Sequence, residues 1–343
     1  MFAAFTQKYL TPKNVLFGIA AILFLIFLSK IPDIAVMFFA SFVIACSMEP
    51  LVQKLSNKMS RATASAVVIL SGLLILTLLF VPLLVIGANE IKSFADSFPQ
   101  YMDLIKKFII NTPFLNKSHI ENIDIGGMIT SAGGVSTKIL TETINFGKNL
   151  GSALVYLLVS ILIVYYFMVD KEKIKEYLLR FFPVPMRKRT SEIYDTISQK
   201  IGGYVIAQIA TMASVGVVVT IGLLILKVDY ALLLGFISAL FDIVPVVGPT
   251  VAFFICLIAV YKFGPVALIL TAAIFGVAQL IENNFVRPFV FSKLLNIHPL
   301  LIFLFIFLAA KFLGIIGVIF APAIAALVVV LIEEIYMKSL EDK

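Results

Sequence analysis

The sequence contains few charged residues. Asp, Glu, Lys and Arg make up 14% of it, whereas hydrophobic residues make up 61% and the mean hydropathy is +1.07. Soluble globular domains have about a quarter charged residues, so this composition excludes an ordinary soluble domain. Most of the chain divides into apolar runs near the ~20 residues that a helix needs to cross a bilayer. The sequence therefore predicts an all-α, polytopic protein embedded in a lipid bilayer.

Cysteine and histidine are also scarce. The two cysteines, Cys46 and Cys256, lie in separate apolar runs, and the two histidines are His119 and His298. Nothing in their spacing is typical of a metal site. We therefore expect two buried thiols, no bound metal and no cofactor.

Several catalytic and nucleotide-binding motifs are absent as well. The sequence has no G-x-x-x-x-G-K-[ST] phosphate-binding loop, which argues against an ATP-driven pump within this chain. It has neither H-E-x-x-H nor G-x-S-x-G, which argues against an intramembrane protease. The net charge of +7 comes from basic residues in short segments between apolar runs, a pattern that sets membrane topology. We expect no enzymatic activity and no nucleic-acid partner.

Charge-free runs divide the chain into four parts. Residues 1–88 hold the N-terminal membrane helices, and residues 89–149 form an extramembrane amphipathic segment. Residues 150–200 hold a span and a basic loop, and residues 201–338 form a C-terminal core with broken helices. The runs that predict single helices are Asn14–Ser29, Ile34–Met48, Ala62–Ala88, Leu150–Val169 and Ile201–Leu226.

Basic residues fix the predicted orientation. They cluster at the N-terminus, in Glu49–Arg61 and in Asp170–Lys200, and short cytoplasmic segments carry an excess of Lys and Arg. Both termini are therefore expected in the cytoplasm and residues 89–149 on the periplasmic side. That segment is expected to contact neighbouring subunits or shield an entry, and a plain solvated spacer fits the pattern equally well.

Two apolar runs, Ala231–Tyr261 and Leu300–Ile332, are too long for one simple span. Each is compatible with one long broken helix or with a hairpin of two short helices. Charge counting does not choose between them, because both arrangements leave the C-terminus in the cytoplasm.

The first of these runs contains the helix-breaking stretch FDIVPVVGPT, in which Asp242 is the only charged residue of the run. Pro245 and Pro249 each lack an N–H, and Gly248 permits backbone angles that other residues avoid. Non-helical backbone at membrane depth is tolerated only beside protein or water, and such breaks form solute and ion sites in secondary transporters. The alternative is a kink or an interfacial loop with Asp242 in water.

Two more charged residues are isolated in apolar sequence. Glu282 follows Gln279 by three residues, on the same face of a helix, and Lys311 lies in AAKFLGIIG. Ionisable groups inside spans are costly and face a bundle interior or a cavity. Asp242 or Glu282 is therefore a candidate proton carrier, since burial favours a neutral carboxyl group. Lys311 is either a counter-charge or the mark of a hairpin tip in water.

A polar stripe also interrupts the run Ile201–Leu226. Tyr204 and Gln208 are four residues apart, so they share one face of a helix. Either hydrogen bonding between helices or contact with a solute explains such a stripe. Gln208 is therefore included among the candidate pathway residues.

Several stretches in order between Gly202 and Ala326 carry a family resemblance. They are GGYVIAQ, GLLIL followed by ALLLGFISALFDIVPVVGP, AQLIENNFVRPFV, LLNIHPLLIF and FLGIIGVIFAPAIAAL. In this order and spacing they resemble the autoinducer-2 exporter family of bacterial inner-membrane proteins. MEPLVQKLSNKMSRATASAVVIL, near the N-terminus, resembles the junction between that family's second and third spans.

The resemblance implies a transporter with seven or eight spans that assembles into homopentamers and works by an elevator-like or hairpin-based mechanism. It also implies either export of the quorum-sensing signal autoinducer-2 or exchange of sodium or another cation for protons. The residues that it places on the transport pathway are Asp242, Pro245, Gly248 and Pro249 in the break, Glu282 and Pro288 in a glutamate–proline element, and Gly314, Gly317 and Pro322 in a late hairpin.

We therefore expect an ATP-independent transporter of the bacterial inner membrane that exports a small polar solute, with autoinducer-2 as a candidate and coupling to H⁺ or Na⁺ as an option. The stretches DIVPVVGP and KFLGIIG are expected to approach each other near mid-membrane. The first alternative is a cation/proton antiporter that uses Asp242 or Glu282. The second is a membrane scaffold that transports nothing and holds partners through residues 89–149.

Overall fold

The computed structural model describes residues 30–78, 81, 150–244, 247–291 and 299–334. Every regular element among these residues is helical, which confirms the predicted all-α class. The predicted first span Asn14–Ser29, the segment Asn89–Asn149 and Pro245 lie outside the described residues.

The described helices follow the apolar runs closely. In chain order the first five are α1 (Pro32–Ser56), α2 (Arg61–Leu78), α3 (Leu150–Val169), α4 (Lys171–Arg180) and α5 (Val184–Ile225). The remainder are α6 (Ala231–Phe241), α7 (Val247–Val260) with the 3₁₀ turn Tyr261–Phe263, α8 (Pro265–Ile281), the π-helical turn Glu282–Val286, α9 (Arg287–Phe291) and α10 (Pro299–Ile332).

Four helices in the described part of the chain are long and apolar enough to cross a membrane: α1, α2, α5 and the segment Pro265–Val290. Leu154–Val169 passes the same test together with α4, to which it is bent by 78°. The predicted run Ile34–Met48 lies within α1, and the run Leu150–Val169 coincides with α3. The protein is therefore a multi-pass helical membrane protein.

The basic segment expected as a loop is itself helical. α4 covers part of it, and α5 begins at Val184, where Pro185 occupies the first turn and the missing N–H costs no helical hydrogen bond. α5 is 42 residues long, or about 63 Å, against a hydrocarbon core of about 30 Å. Lys175 of α4 donates a hydrogen bond to Asp195 of α5 at 2.5 Å. The basic residues of this segment thus lie on α4 and on the first part of α5, which is longer than a bilayer core requires.

The chain forms two compact units. The first consists of Met1–Cys46, Ser160–Ser198 and Ile297–Lys343. The second consists of Ser47–Val159 and Gln199–Asn296. The units therefore interleave along the sequence, and each is described separately.

Aromatic contacts and one thiol hydrogen bond stabilise the first unit. The Phe167 ring lies edge-on to those of Phe38 and Phe42, with centroids 6.5 and 5.7 Å apart, an arrangement that the ring quadrupoles favour. Cys46 Sγ lies 3.2 Å from Ser198 Oγ. Cys46 is a buried thiol that forms no disulfide, as the sequence predicts.

The second unit has an apolar core built from α5, α6, α7 and α8. Its buried members include Leu223, Leu234, Cys256 and Phe275. The second predicted thiol, Cys256, is therefore buried as well, and it forms no disulfide. A Cβ atom on Gly235 of α6 would overlap the Thr220 side chain of α5. The missing side chain lets α5 and α6 pack closely, as small residues do between membrane helices.

The run Ala231–Tyr261 is a hairpin rather than one broken span. Asp229 Oδ2 pairs with Lys262 Nζ at 2.5 Å at its base, and Ser238 Oγ lies 3.9 Å from Cys256 Sγ further along. α6 and α7 are therefore antiparallel. They have 11 and 14 residues, about 16 and 21 Å, so neither arm alone crosses a core of about 30 Å.

The run Leu300–Ile332 also folds back on itself. Gly314 adopts φ 62° and ψ −148° inside α10, a conformation that glycine reaches without steric cost. A Cβ atom on Gly317 would overlap the Ala309 carbonyl oxygen. In a continuous helix Ala309 and Gly317 would be about 12 Å apart, so the chain reverses at Gly314. The run Leu300–Ile332 is therefore a hairpin of two short helices and not one long broken helix.

Gly248 at the tip of the first hairpin generates a prediction about stability. A Cβ atom there would overlap the Phe241 carbonyl oxygen, so Gly248→Ala should lower the free energy of unfolding by about 1–3 kcal/mol through overpacking. The matched control is Gly276→Ala, because a Cβ atom at Gly276 meets nothing within 4 Å. Thermal unfolding of both variants in detergent measures the difference, and equal stability would contradict a close approach at the hairpin tip.

Candidate functional site

Hydrogen bonds from α5 hold the tip of the first hairpin. Gln208 Nε2 donates to the Asp242 carbonyl oxygen at 3.1 Å, and Tyr204 Oη donates to Gln208 Oε1 at 3.1 Å. The spacing of four residues places both polar side chains on the face of α5 that meets the hairpin. The polar stripe predicted from the sequence therefore fixes the position of the hairpin tip.

The carboxylate of Asp242 lies at this tip. Its side chain is fully buried, and neither carboxylate oxygen accepts a hydrogen bond from any residue that the structure describes, although the backbone N–H of Asp242 donates to the Ser238 carbonyl at 3.1 Å. An ionised carboxylate buried in this way is strongly unfavourable unless something neutralises it. Asp242 is therefore a group that a proton or a cation would stabilise.

The second carboxylate, Glu282, is in the opposite situation. Its side chain is only 1% exposed, and both oxygens are engaged. Oε1 accepts a hydrogen bond from Arg287 Nε at 2.7 Å, and Oε2 accepts one from Gln279 Nε2 at 2.9 Å. The predicted face shared by Gln279 and Glu282 is thus present as a direct contact. Glu282 holds two polar side chains in fixed positions.

A π-helical turn brings Arg287 to Glu282. Pro288 has no N–H and its ring would clash with the carbonyl four residues before it, so a regular α-helix is unfavourable here. The turn Glu282–Val286 widens instead, and the Arg287 N–H donates to the Glu282 carbonyl, five residues back. The side chains of the same two residues then form their ion pair, with Arg287 Nη2 2.6 Å from Glu282 Oε1. Widened turns of this kind are frequent at functional sites.

The two carboxylates belong to one electrostatic cluster. Glu282 and Arg287 both lie within electrostatic range of the Asp242 carboxyl, and Arg287 and Asp242 lie within range of the Tyr204 hydroxyl. The cluster holds two carboxylates and one guanidinium, so the charges do not balance when all three groups are ionised.

A cavity of about 420 Å³ lies beside this cluster. α7 and the helix from α8 to α9 form its walls, and Arg287 is among the lining residues. The residues that line it are Pro249, Thr250, Phe253, Ala272, Phe275, Gly276, Gln279, Asn283 and Arg287. Its volume lies within the range of about 300–1,000 Å³ that is usual for small-molecule sites.

Comparison with known proteins identifies the family of the chain. The model of the family described as "AI-2E family transporter" matches residues 15–337. The chain belongs to the AI-2E family of transporters. It is 25% identical to "Putative transport protein YueF" of Bacillus subtilis over 81% of this chain and 78% of that protein. It is 26% identical to "Putative permease PerM" of Escherichia coli K12 over 51% of this chain and 50% of that protein. The chain is thus a membrane transporter that handles small solutes within a bilayer.

The predicted residues of the late hairpin lie in the other unit of this AI-2E family transporter. Lys311 is exposed, three residues before the reversal at Gly314, which fits the prediction of a hairpin tip. Gly317 and Pro322 are buried in the second arm of that hairpin. The expected approach of DIVPVVGP to KFLGIIG joins the two units and stays a prediction.

The break in the first hairpin differs in detail from its prediction. Gly248 does not use a left-handed backbone conformation, which among the described glycines Gly264 and Gly314 adopt. Its missing Cβ instead permits the contact with Phe241. Pro249 lies in the first turn of α7, where the absent N–H has no helical partner to lose.

Arg287 is the main residue of the candidate site that the sequence did not predict. Its distance of five residues from Glu282 does not match α-helical pairing, which joins residues three or four apart. The available signal was the proline immediately after the arginine, which predicts a distorted turn. The described residues contain no group of three His, Cys, Asp or Glu side chains that could hold a metal ion.

The Glu282–Arg287 pair generates a second prediction. Arg287→Gln leaves a buried carboxylate without its cation, so we expect the free energy of unfolding to fall by about 2–3 kcal/mol. The double variant Glu282→Gln/Arg287→Gln removes both members of the pair, so neither is left without the other, and it should recover at least half of this loss. Chemical or thermal unfolding in detergent measures the free energy of unfolding of the unchanged protein, of Arg287→Gln, of Glu282→Gln and of the double variant. If the effects of the two single variants simply add up to that of the double variant, the pair is not coupled.

Proposed function

We propose that this protein is an ATP-independent secondary transporter that exports a small polar solute across the bacterial inner membrane. Two short-armed hairpins support the proposal, because broken helices carry the binding sites of many secondary transporters. The cavity beside Arg287 supports it further, because it offers a small solute both polar and apolar contacts. The family resemblance supports autoinducer-2 as a solute and a homopentameric assembly, and the distribution of basic residues supports cytoplasmic N- and C-termini.

The observation that carries the proposal is the unpartnered carboxylate of Asp242. A transporter coupled to an ion needs a buried group that gains and loses a positive partner as the protein changes state. Asp242 meets this requirement because both of its carboxylate oxygens are free to bind H⁺ or Na⁺. Glu282 does not, because Arg287 and Gln279 occupy its oxygens. Asp242 is therefore the coupling residue, and Glu282 positions the polar wall of the cavity.

The same observation favours a second candidate function, exchange of a cation for protons. Alternate occupation of Asp242 by H⁺ and by an alkali cation would be enough for antiport, with no organic solute. The two functions differ in what drives the proton movement. A cation drives it in the second candidate, and the solute drives it in the first.

Internal pH in proteoliposomes tests both candidates. The purified protein is reconstituted with a trapped pH-sensitive dye and receives a pulse of sodium, potassium or autoinducer-2. A proton response to autoinducer-2 supports coupled export, and a response to a cation alone supports antiport. Asp242→Asn, which keeps the size of the side chain, should reduce either response to the rate of protein-free vesicles.

Asp229→Asn is the matched control for this experiment. Asp229 lies in the same hairpin but at its base, where it is half exposed and paired with Lys262. Exposed ion pairs contribute little to stability, so this variant should respond like the unchanged protein. Coupling that survives in Asp242→Asn, or no proton response to any pulse, would rule out Asp242 as the coupling residue.

A further inference from the structure

We infer that the cavity between α7 and α8 binds a small organic anion that carries an apolar group. This inference rests on the proposed function, because it names the class of solute that the transporter recognises. It follows from the charges, dipoles and rings that line the cavity.

Arg287 gives the cavity its charge. It is the only ionisable side chain among the lining residues, and 37% of its side chain is exposed. Its partner Glu282 is buried behind the wall and has both oxygens engaged. The lining formed by described residues therefore presents one guanidinium group, which is paired with Glu282 on one side, and no carboxylate. A guanidinium is well suited to bind a carboxylate or another planar oxyanion.

The opposite wall adds a weaker attraction for negative charge. Pro249 and Thr250 belong to the first turn of α7 and line the cavity. The N-terminus of a helix carries partial positive charge and unpaired N–H groups, which favour an anion nearby. The side-chain amides of Gln279 and Asn283 add polar groups on the α8 side.

The other lining residues form an apolar and aromatic region. The rings of Phe253 and Phe275 lie 5.3 Å apart at an interplanar angle of 63°. Ala272 and Gly276 continue this surface along α8, and the space in front of Gly276 is open. A solute that fits both regions therefore has an anionic end for Arg287 and an apolar or aromatic end for the two phenylalanines.

Binding of simple probes to the detergent-solubilised protein tests the inference. The probes are radiolabelled benzoate, its neutral analogue benzamide and the cation benzylamine. Charge-assisted hydrogen bonds are markedly stronger than neutral ones, so benzoate should bind at least about tenfold more tightly than benzamide. Benzylamine should not compete with benzoate. Equal affinity for benzoate and benzamide, preference for benzylamine, or no saturable benzoate binding would overturn the inference.

Two neighbouring alanines provide a matched pair of variants. Ala272 lines the cavity, whereas Ala273 is exposed on the same helix and does not line it. Ala272→Leu fills part of the cavity and should weaken benzoate binding by at least about tenfold. Ala273→Leu should leave the affinity unchanged. Equal affinities in the two variants would place benzoate somewhere else.

Removal of the charge identifies the group that selects the anion. Arg287→Gln alone leaves the buried Glu282 carboxylate without its cation and is expected to destabilise the fold. The variant to use is Glu282→Gln/Arg287→Gln, which removes both charges. It should bind benzoate and benzamide with equal affinity. A retained preference for benzoate in this folded variant would overturn the role of Arg287.

The binding assay also separates this inference from the proposed function. It needs no membrane and no gradient, and it leaves Asp242 unchanged. Selective benzoate binding without a proton response in vesicles would retain the anion site and reject coupling through Asp242. A proton response without benzoate binding would retain coupling and reject the anion site.

Discussion

The backbone of a membrane protein must satisfy its own hydrogen bonds, because the hydrocarbon core offers no other partner. A helix that ends at membrane depth violates this rule unless protein or water meets its end. The first hairpin satisfies the rule through Gln208, whose side chain reaches the Asp242 carbonyl oxygen from α5. The close contact between Gly248 and Phe241 shortens the turn further. This constraint explains why a polar side chain on α5 and a glycine after the break occur together.

The same constraint places a carboxylate where it has no partner. Once the hairpin tip is fixed by backbone contacts, the Asp242 side chain is buried within electrostatic range of the Glu282–Arg287 pair and adds a second negative charge. Evolution toward stability alone would replace such a group with a neutral one, since an unpaired buried charge is among the most destabilising features of a fold. Its presence is therefore better explained by function than by structure.

The sequence predicted the contacts that obey helical periodicity. Tyr204 with Gln208 and Gln279 with Glu282 are spaced by four and three residues, and both pairs are hydrogen-bonded. Both cysteines are buried, and the break after Asp242 is present. These features follow from local rules that need no knowledge of the partner helix.

The features that the sequence did not predict depend on the path of the chain. A hairpin and a broken span have the same composition and give the same charge pattern at their ends, so only the contacts between α6 and α7 distinguish them. Arg287 pairs with Glu282 because Pro288 distorts the turn between them, and that distortion changes which residues share a face. The cavity needs α7 and α8 side by side, so Phe253 and Phe275 carry no signal of a binding site in the sequence alone.

The two proposals together constrain how transport is driven. A solute anion beside Arg287, together with ionised Asp242 and Glu282, would place three negative charges within electrostatic range of one guanidinium. Like charges repel each other strongly in a medium of low dielectric constant. The anion is therefore expected to bind together with a proton or cation at Asp242 rather than in exchange for it. An inward ion gradient would then oppose export. Net export must be driven by the outward concentration gradient of the solute itself, which a cell maintains when it synthesises the solute inside.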